Sequence, residues 1–158
     1  MTGPETQPPP RITVIVPCFN DGVLVPETLA SLDDQEPLEV LVVDDASTDP
    51  ETHRVLSEFE RDGTRVLRHE TNRGLSAARM TGLAQARTRY VFPLDSDDLV
   101  APRALTLLAD MLDSRPVVSA AFADYEEFGD VNRTVAVPLR LDPFLIAYRN
   151  AYPVSALF

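Results

Sequence analysis

The chain has no lysine and only one cysteine among its 158 residues. All 14 of its basic residues are therefore arginines, which excludes any mechanism that needs a lysine amine. With Cys18 alone, neither an intrachain disulfide nor a cysteine metal cluster can form, and this fits a reducing, cytoplasmic compartment. No apolar run approaches the roughly 20 residues that span a bilayer, so we expect no transmembrane segment.

Positive charge is also scarce, because 25 acidic residues give a net charge of −11. An acidic chain without a basic run is not expected to bind nucleic acid or an anionic membrane by charge alone. A small anionic ligand would need a metal ion or local arginines to offset this field. The proline-rich start, residues 1–10, predicts a disordered leader, and residues 11–158 are long enough for one globular domain.

Strands and helices alternate along most of the chain. Apolar and β-branched runs predict five strands, at residues 11–16, 38–43, 65–68, 90–94 and 117–123. Amphipathic segments predict helices at 26–34, from about 50 after Asp49 as N-cap, at 75–86 and at 102–112. This alternation predicts an α/β domain with a mostly parallel, doubly wound sheet and helices on both faces.

The pattern weakens after residue 124. Residues 125–128 and 134–137 predict a hairpin, and residues 143–148 predict a short helix. The chain ends on an apolar segment, 151–158, which has the pattern of a strand cut short. We therefore expect a domain truncated at its C-terminus, and a second copy could cover this segment in a homo-oligomer.

Polar and aromatic residues follow three of the predicted strands. In chain order they are Phe19, Asn20, Asp44, Asp45, Asp95, Ser96, Asp97 and Asp98. In an open parallel sheet, ligands bind outside the carboxyl ends of the strands. Because those ends share one edge, we expect the three groups to lie close together there.

Each group has a chemical use in binding a nucleotide. An aromatic such as Phe19 can stack on a base, and a carboxylate can accept hydrogen bonds from a base or a ribose. Alternate carboxylates such as Asp95 and Asp97 can hold a hard divalent cation that bridges a diphosphate. Arg79, in the helix after the third strand, could reach that diphosphate.

Each residue also has a structural interpretation. A D-x-D alone is common and is more often a solvated loop than a metal site. Asp44 and Asp45 could form a turn and a helix cap. Phe19 could lie in the core, and Arg79 could pair with a surface carboxylate. The two histidines are isolated in the sequence and predict no metal site, so the functional interpretation depends on the joint placement of the groups.

Four segments resemble, in order, the motifs of the family 2 glycosyltransferases, which have the GT-A fold. They are R-I-T-V-I-V-P-C-F-N-D at 11–21, V-L-V-V-D-D-A-S-T-D at 40–49, N-R-G-L-S-A-A-R-M-T-G at 72–82 and Y-V-F-P-L-D-S-D-D at 90–98. Four ordered motifs at suitable intervals are far more specific than any one of them. The resemblance covers the chain from Arg11 to about Tyr125.

The resemblance implies an inverting transferase that uses a UDP- or GDP-sugar and a divalent cation, Mn²⁺ or Mg²⁺. It implies that Phe19 stacks on the base and that Asp45 binds it. The implied nucleotide-binding set is Pro17, Phe19, Asn20, Asp44, Asp45, Arg79, Asp95 and Ser96, and the implied metal ligands are Asp97 and Asp95. The sugar and the acceptor stay open.

One departure from the family concerns the general base that deprotonates the acceptor hydroxyl. The resemblance implies a carboxylate in an acidic motif well after the D-x-D. The late acidic residues here, Asp124, Glu126 and Glu127, come too early to match it. We therefore expect the donor-binding half, with the acceptor half absent or supplied elsewhere. The alternative is a module that binds a nucleotide sugar without catalysis of its own.

Overall fold

The computed structural model describes residues 8–137 and 155–158, and a parallel four-stranded sheet forms its centre. The strands are β1 Ile12–Cys18, β2 Leu38–Asp44, β3 Arg65–Arg68 and β4 Tyr90–Pro93. They lie in the order β3-β2-β1-β4, and every neighbouring pair is parallel. The connecting helices are α1 Val25–Ala30, α2 Pro50–Arg61 and α3 Leu75–Gln85, and α4 Ala104–Ser114 follows β4.

The two faces of the sheet pack against different helices. All seven residues of β1 are buried, and alternate side chains point to opposite faces. Ile12, Val14 and Val16 pack in one cluster with buried residues of α1, α2 and α4. Ile15 packs in a second cluster with Ala78 of α3. The prediction of an α/β sheet with helices on both faces is therefore confirmed.

The close approach of α3 to the sheet depends on Gly82. A Cβ atom built at Gly82 would lie 2.4 Å from Cγ2 of Ile15 on β1. Gly82→Ala is expected to lower the free energy of unfolding by about 1–3 kcal/mol, because overpacking forces the helix or the strand to shift. Urea denaturation measures this loss.

A matched control for Gly82→Ala is the same substitution in an Ile15→Ala background. There the clashing side chain is gone, and alanine should gain helix propensity over glycine by about 1 kcal/mol. An equal loss in both backgrounds would show that the contact with Ile15 does not limit the approach of α3.

Several of the predicted element bounds are wrong, among them those of β1 and α1. Residue Pro17 does not end β1, which continues through Cys18 in register with Asp44 of β2. Proline is tolerated there because its nitrogen faces β4, whose pairing with β1 ends at Ile15. The first helix is shorter than residues 26–34, since it ends at Ala30 and passes into tight turns.

The predicted strand at 117–123 is also wrong. Within it, only Ala121 pairs, through an isolated antiparallel bridge to Leu157. Val117 is 95% exposed, and a turn joins Val118 to Arg115. Three of its seven residues are alanine, which favours a strand weakly. The helix predicted at 143–148 lies outside the described residues.

The predicted hairpin is confirmed as the antiparallel pair β5 Tyr125–Glu127 and β6 Arg133–Val135. The last two residues of the chain pair as a strand would. Val91 of β4 and Phe158 exchange two backbone hydrogen bonds of 2.7 and 3.1 Å, and Leu157 is fully buried. Within residues 8–137 and 155–158, no helix has the length and apolar character needed to cross a membrane.

Candidate functional site

A pocket of about 330 Å³ lies at the carboxyl ends of β1, β2 and β4. This volume is in the range of small-molecule sites. Residues from all three predicted loops line it, namely Pro17, Phe19, Asp45, Asp95, Ser96 and Asp97. The remaining lining residues are Cys18, Asp21, Asn72, Gly74, Leu75 and Ala78. A larger groove of about 670 Å³ lies near the amino end of β2, between α1 and α2, and is lined by residues from Pro26 to Thr64.

The loop after β1 presents an aromatic ring to this pocket. Phe19 is 41% exposed, so it is not a core residue. Its neighbour Cys18 is buried, and burial raises the pKa of the thiol to about 11. Cys18 therefore stays protonated at neutral pH and packs as a small apolar residue.

Asn20 and Asp44 are absent from the pocket lining and shape its loops instead. Asn20 adopts a left-handed conformation with φ of 63°, and its Oδ1 accepts hydrogen bonds from the N–H groups of Thr48 at 2.7 Å and Asp49 at 2.9 Å. Asp44 is 1% exposed, and its Oδ1 accepts a hydrogen bond from the N–H of Ser47 at 2.9 Å. These contacts tie the loop after β1 to the loop after β2.

Asp45 is held by donors from the start of α3. Its Oδ1 accepts a hydrogen bond from the N–H of Arg73 at 2.9 Å, and its Oδ2 accepts one from the N–H of Gly74 at 2.7 Å. Burial would raise the pKa of Asp45. The two N–H groups and the ring of His69 outweigh burial and hold that pKa below its usual range. The carboxylate is thus ionised at neutral pH and fixes one wall of the pocket.

His69 completes this network, and sequence reasoning missed its role. Its Nδ1 lies 2.5 Å from Oδ1 of Asp45, and its Nε2 lies 2.8 Å from the hydroxyl of Thr81 on α3. Since an ionised carboxylate only accepts, Nδ1 carries the proton of this contact. The predicted parallel sheet could have indicated this contact. Asp45 follows β2 and His69 follows β3, and the parallel pairing of these strands brings their carboxyl ends together.

The acidic loop after β4 contains three carboxylates, and among the described residues only that of Asp95 forms an ion pair. Arg79 Nη2 donates to Oδ1 of Asp95 at 2.5 Å. The Nε of Arg79 is buried and has no hydrogen-bond partner in the described part of the chain. Asp97 is exposed and forms no hydrogen bond or ion pair with residues 8–137 or 155–158. Burial raises the pKa of Asp98, and the negative charges of Asp97 and Asp95 raise it further.

The acidic loop suits a hard cation that is completed by a ligand. No group of three or more histidine, cysteine or acidic side chains converges to hold a metal within the described residues. Mg²⁺ sites in phosphate-binding proteins use one or two carboxylates together with substrate oxygens. The unpaired carboxylate of Asp97 fits such a site, and the Arg79 contact leaves Asp95 with free lone pairs.

The chain belongs to glycosyl transferase family 2, whose family model matches residues 13–153. It is similar to a Campylobacter jejuni GalNAc(5)-diNAcBac-PP-undecaprenol beta-1,3-glucosyltransferase. The two are 35% identical over 104 residues, which cover 63% of this chain and 33% of the relative.

Solved structures of GT-A glycosyltransferases share the fold. Staphylococcus aureus TarS in complex with UDP-GlcNAc has a TM-score of 0.60 and 33% identity, over 67% of this chain and 32% of TarS. The mannosyltransferase PcManGT from Pyrobaculum calidifontis, in complex with GDP-Man and Mn²⁺, has a TM-score of 0.59 and 35% identity, over 74% of this chain and 35% of PcManGT. The chain thus spans about a third of the length of these three relatives.

Proposed function

We propose that the chain carries the donor-binding part of an inverting glycosyltransferase. It binds a UDP- or GDP-sugar through Mn²⁺ or Mg²⁺, and the sugar is transferred to an acceptor hydroxyl. The observation that carries this proposal is the single pocket in which Phe19, Asp45 and Asp97, from three different loops, come together. The complexes of TarS with UDP-GlcNAc and of PcManGT with GDP-Man and Mn²⁺ support this ligand class.

The base end of the proposed site lies between the loop after β1 and the start of α3. Phe19 offers an exposed ring on which a base can stack. Pro17 and Asp45 line the same pocket, and Asn20 and Asp44 support it through loop contacts. Most acceptor positions of Asp45 are already taken by protein donors, so it contributes at most one further hydrogen bond to a base.

The diphosphate end of the proposed site lies at the acidic loop. Asp97 and Asp95 would hold the cation, with Ser96 and Asp95 on the ribose side. When bound, the cation supplies charge neutralisation for the diphosphate leaving group. Arg79 fixes Asp95 through their ion pair and does not itself line the pocket, so it would act on the diphosphate through Asp95.

The alternative is a binding module without catalysis of its own, and the late acidic residues favour it. Asp124 accepts a hydrogen bond from the N–H of Val137 at 2.8 Å, and Glu127 pairs with Arg133 at 2.7 Å. These contacts hold the β5–β6 hairpin, and neither carboxylate lines the pocket. A base for the acceptor hydroxyl would then come from other parts of a longer protein.

Calorimetry of the chain with UDP and GDP, each with and without Mn²⁺, tests the proposal. We expect one nucleotide to bind, and Mn²⁺ to strengthen that binding. Turnover of the matching nucleotide sugar then separates the enzyme from the binding module. If the chain binds neither UDP nor GDP, both the enzyme and the binding-module interpretations are contradicted. The cytoplasmic location, the lack of affinity for nucleic acid and self-association through residues 151–158 stay predictions of the sequence.

A further inference from the structure

The backbone of the acidic loop is held by a buried side chain from α1. The hydroxyl of Thr28 donates a hydrogen bond of 2.7 Å to the carbonyl oxygen of Ser96. Thr28 is fully buried and Ser96 is 6% exposed. A buried carbonyl that lost this donor would have no water to replace it, so the bond strongly favours one orientation of the loop.

Two further polar residues, both in the turns that follow α1, hold the segment after the acidic loop. Ser31 Oγ accepts a hydrogen bond of 3.0 Å from the N–H of Val100. The side-chain amide of Gln35 donates to the carbonyl of Ala101 at 2.9 Å and accepts from the N–H of Leu105 at 3.0 Å. We name Thr28, Ser31 and Gln35 the α1 clamp.

The clamp acts at the peptide that joins the two alternate carboxylates. The carbonyl of Ser96 belongs to the peptide plane between Ser96 and Asp97. Anchoring its oxygen restricts rotation about the bonds on both sides of that plane. Asp97 has no side-chain partner of its own in the described residues, so its direction depends on this backbone.

We propose that Thr28 is a positioning residue that, with the rest of the α1 clamp, aims the carboxylate of Asp97 at a divalent cation. This inference rests on the proposed function, because it assigns the clamp to the cation of the same site. The clamp touches neither the base end of the pocket nor Asp45. Ser96 also lines the pocket on the proposed ribose side, so the loss of the clamp should weaken cation-dependent binding much more than metal-free nucleotide binding.

The test compares Thr28→Val with Thr28→Ser. Valine keeps the shape of threonine and removes the hydroxyl, whereas serine keeps the hydroxyl. Calorimetry with UDP and GDP measures the gain in affinity that Mn²⁺ produces. We expect Thr28→Val to reduce that gain about tenfold, since a lost buried hydrogen bond lowers the population of the competent loop. Metal-free affinity should fall much less than this gain, and Thr28→Ser should restore the gain.

A full Mn²⁺ gain in Thr28→Val would overturn the proposal, as would an equal loss with and without Mn²⁺. If Thr28→Val has no cooperative melting transition, Ser31→Ala decides in the same assay, because its hydroxyl is only half-buried. If Ser31→Ala leaves the Mn²⁺-dependent gain in nucleotide affinity unchanged, the proposed role of the clamp is overturned. The wild-type chain separates the two claims: if Mn²⁺ gives it no gain, the proposed function itself fails.

Discussion

Asp97→Asn is expected to abolish the part of nucleotide binding that depends on Mn²⁺. Asp97 is exposed, lines the pocket and forms no ion pair with the described residues, and an amide is a much weaker ligand for a hard cation. Stability should hold or rise slightly, because the repulsion that Asp97 exerts on Asp98 is removed. Calorimetry with UDP and GDP measures the binding, and thermal unfolding measures the stability.

The matched control is Asp34→Asn, which makes the same charge change on an exposed residue between α1 and β2. It should leave Mn²⁺-dependent binding as in the wild type, since screening weakens charge effects at a distance. If Asp97→Asn binds nucleotide with the full Mn²⁺ gain, Asp97 is not a metal ligand. If both variants lose the gain equally, the effect is one of net charge.

Asp45→Asn is expected to cost the most stability of any single change in the pocket. An asparagine amide would place an NH₂ group against N–H donors of Arg73, Gly74 or His69, where the native carboxylate accepts from all three. Leaving buried donors unpaired in this way should lower the free energy of unfolding by about 3 kcal/mol at pH 7. Urea denaturation measures the loss, and nucleotide binding should fall with it because the wall of the pocket moves.

The cost of Asp45→Asn should depend on pH in a definite direction. Protein contacts hold the pKa of Asp45 below its usual range, so ionised Asp45 stabilises the fold above the unfolded pKa of about 3.9. That contribution is lost as the pH falls through the lower, folded pKa. The stability difference between wild type and Asp45→Asn should therefore narrow below about pH 4. A difference that stays constant down to acid unfolding would contradict this account of Asp45.

The main features of the fold follow from the sequence for a simple physical reason. Continuous β-branched runs, such as residues 12–16, are typical of strands buried on both faces, and helical segments between them require a parallel sheet. The shared edge of three loops then follows from geometry. The strand predicted at 117–123 is wrong, since only Ala121 pairs and its partner Leu157 lies far away in the chain.

The contacts within the site were harder to predict, because they join side chains from different elements. The sequence predicted that Arg79 could contact a diphosphate, whereas in the structure Arg79 pairs with Asp95 of the acidic loop. It assigned Asp45 to a base, whereas much of that carboxylate holds the start of α3. Thr28 received no role, because α1 was interpreted from its apolar residues alone. Spacing along the chain carries little information about such contacts.

Nuclear magnetic resonance of the chain with Mn²⁺ and the bound nucleotide tests the central claim most directly. Mn²⁺ is paramagnetic and broadens the amide signals of nearby residues. The account predicts broadening that is centred on residues 95–98 and weakens toward Phe19 and Asp45. At low Mn²⁺ concentration, this broadening should occur only when the nucleotide is present. Broadening centred elsewhere, or none at residues 95–98, would contradict the assignment of this sheet edge as a nucleotide-sugar site.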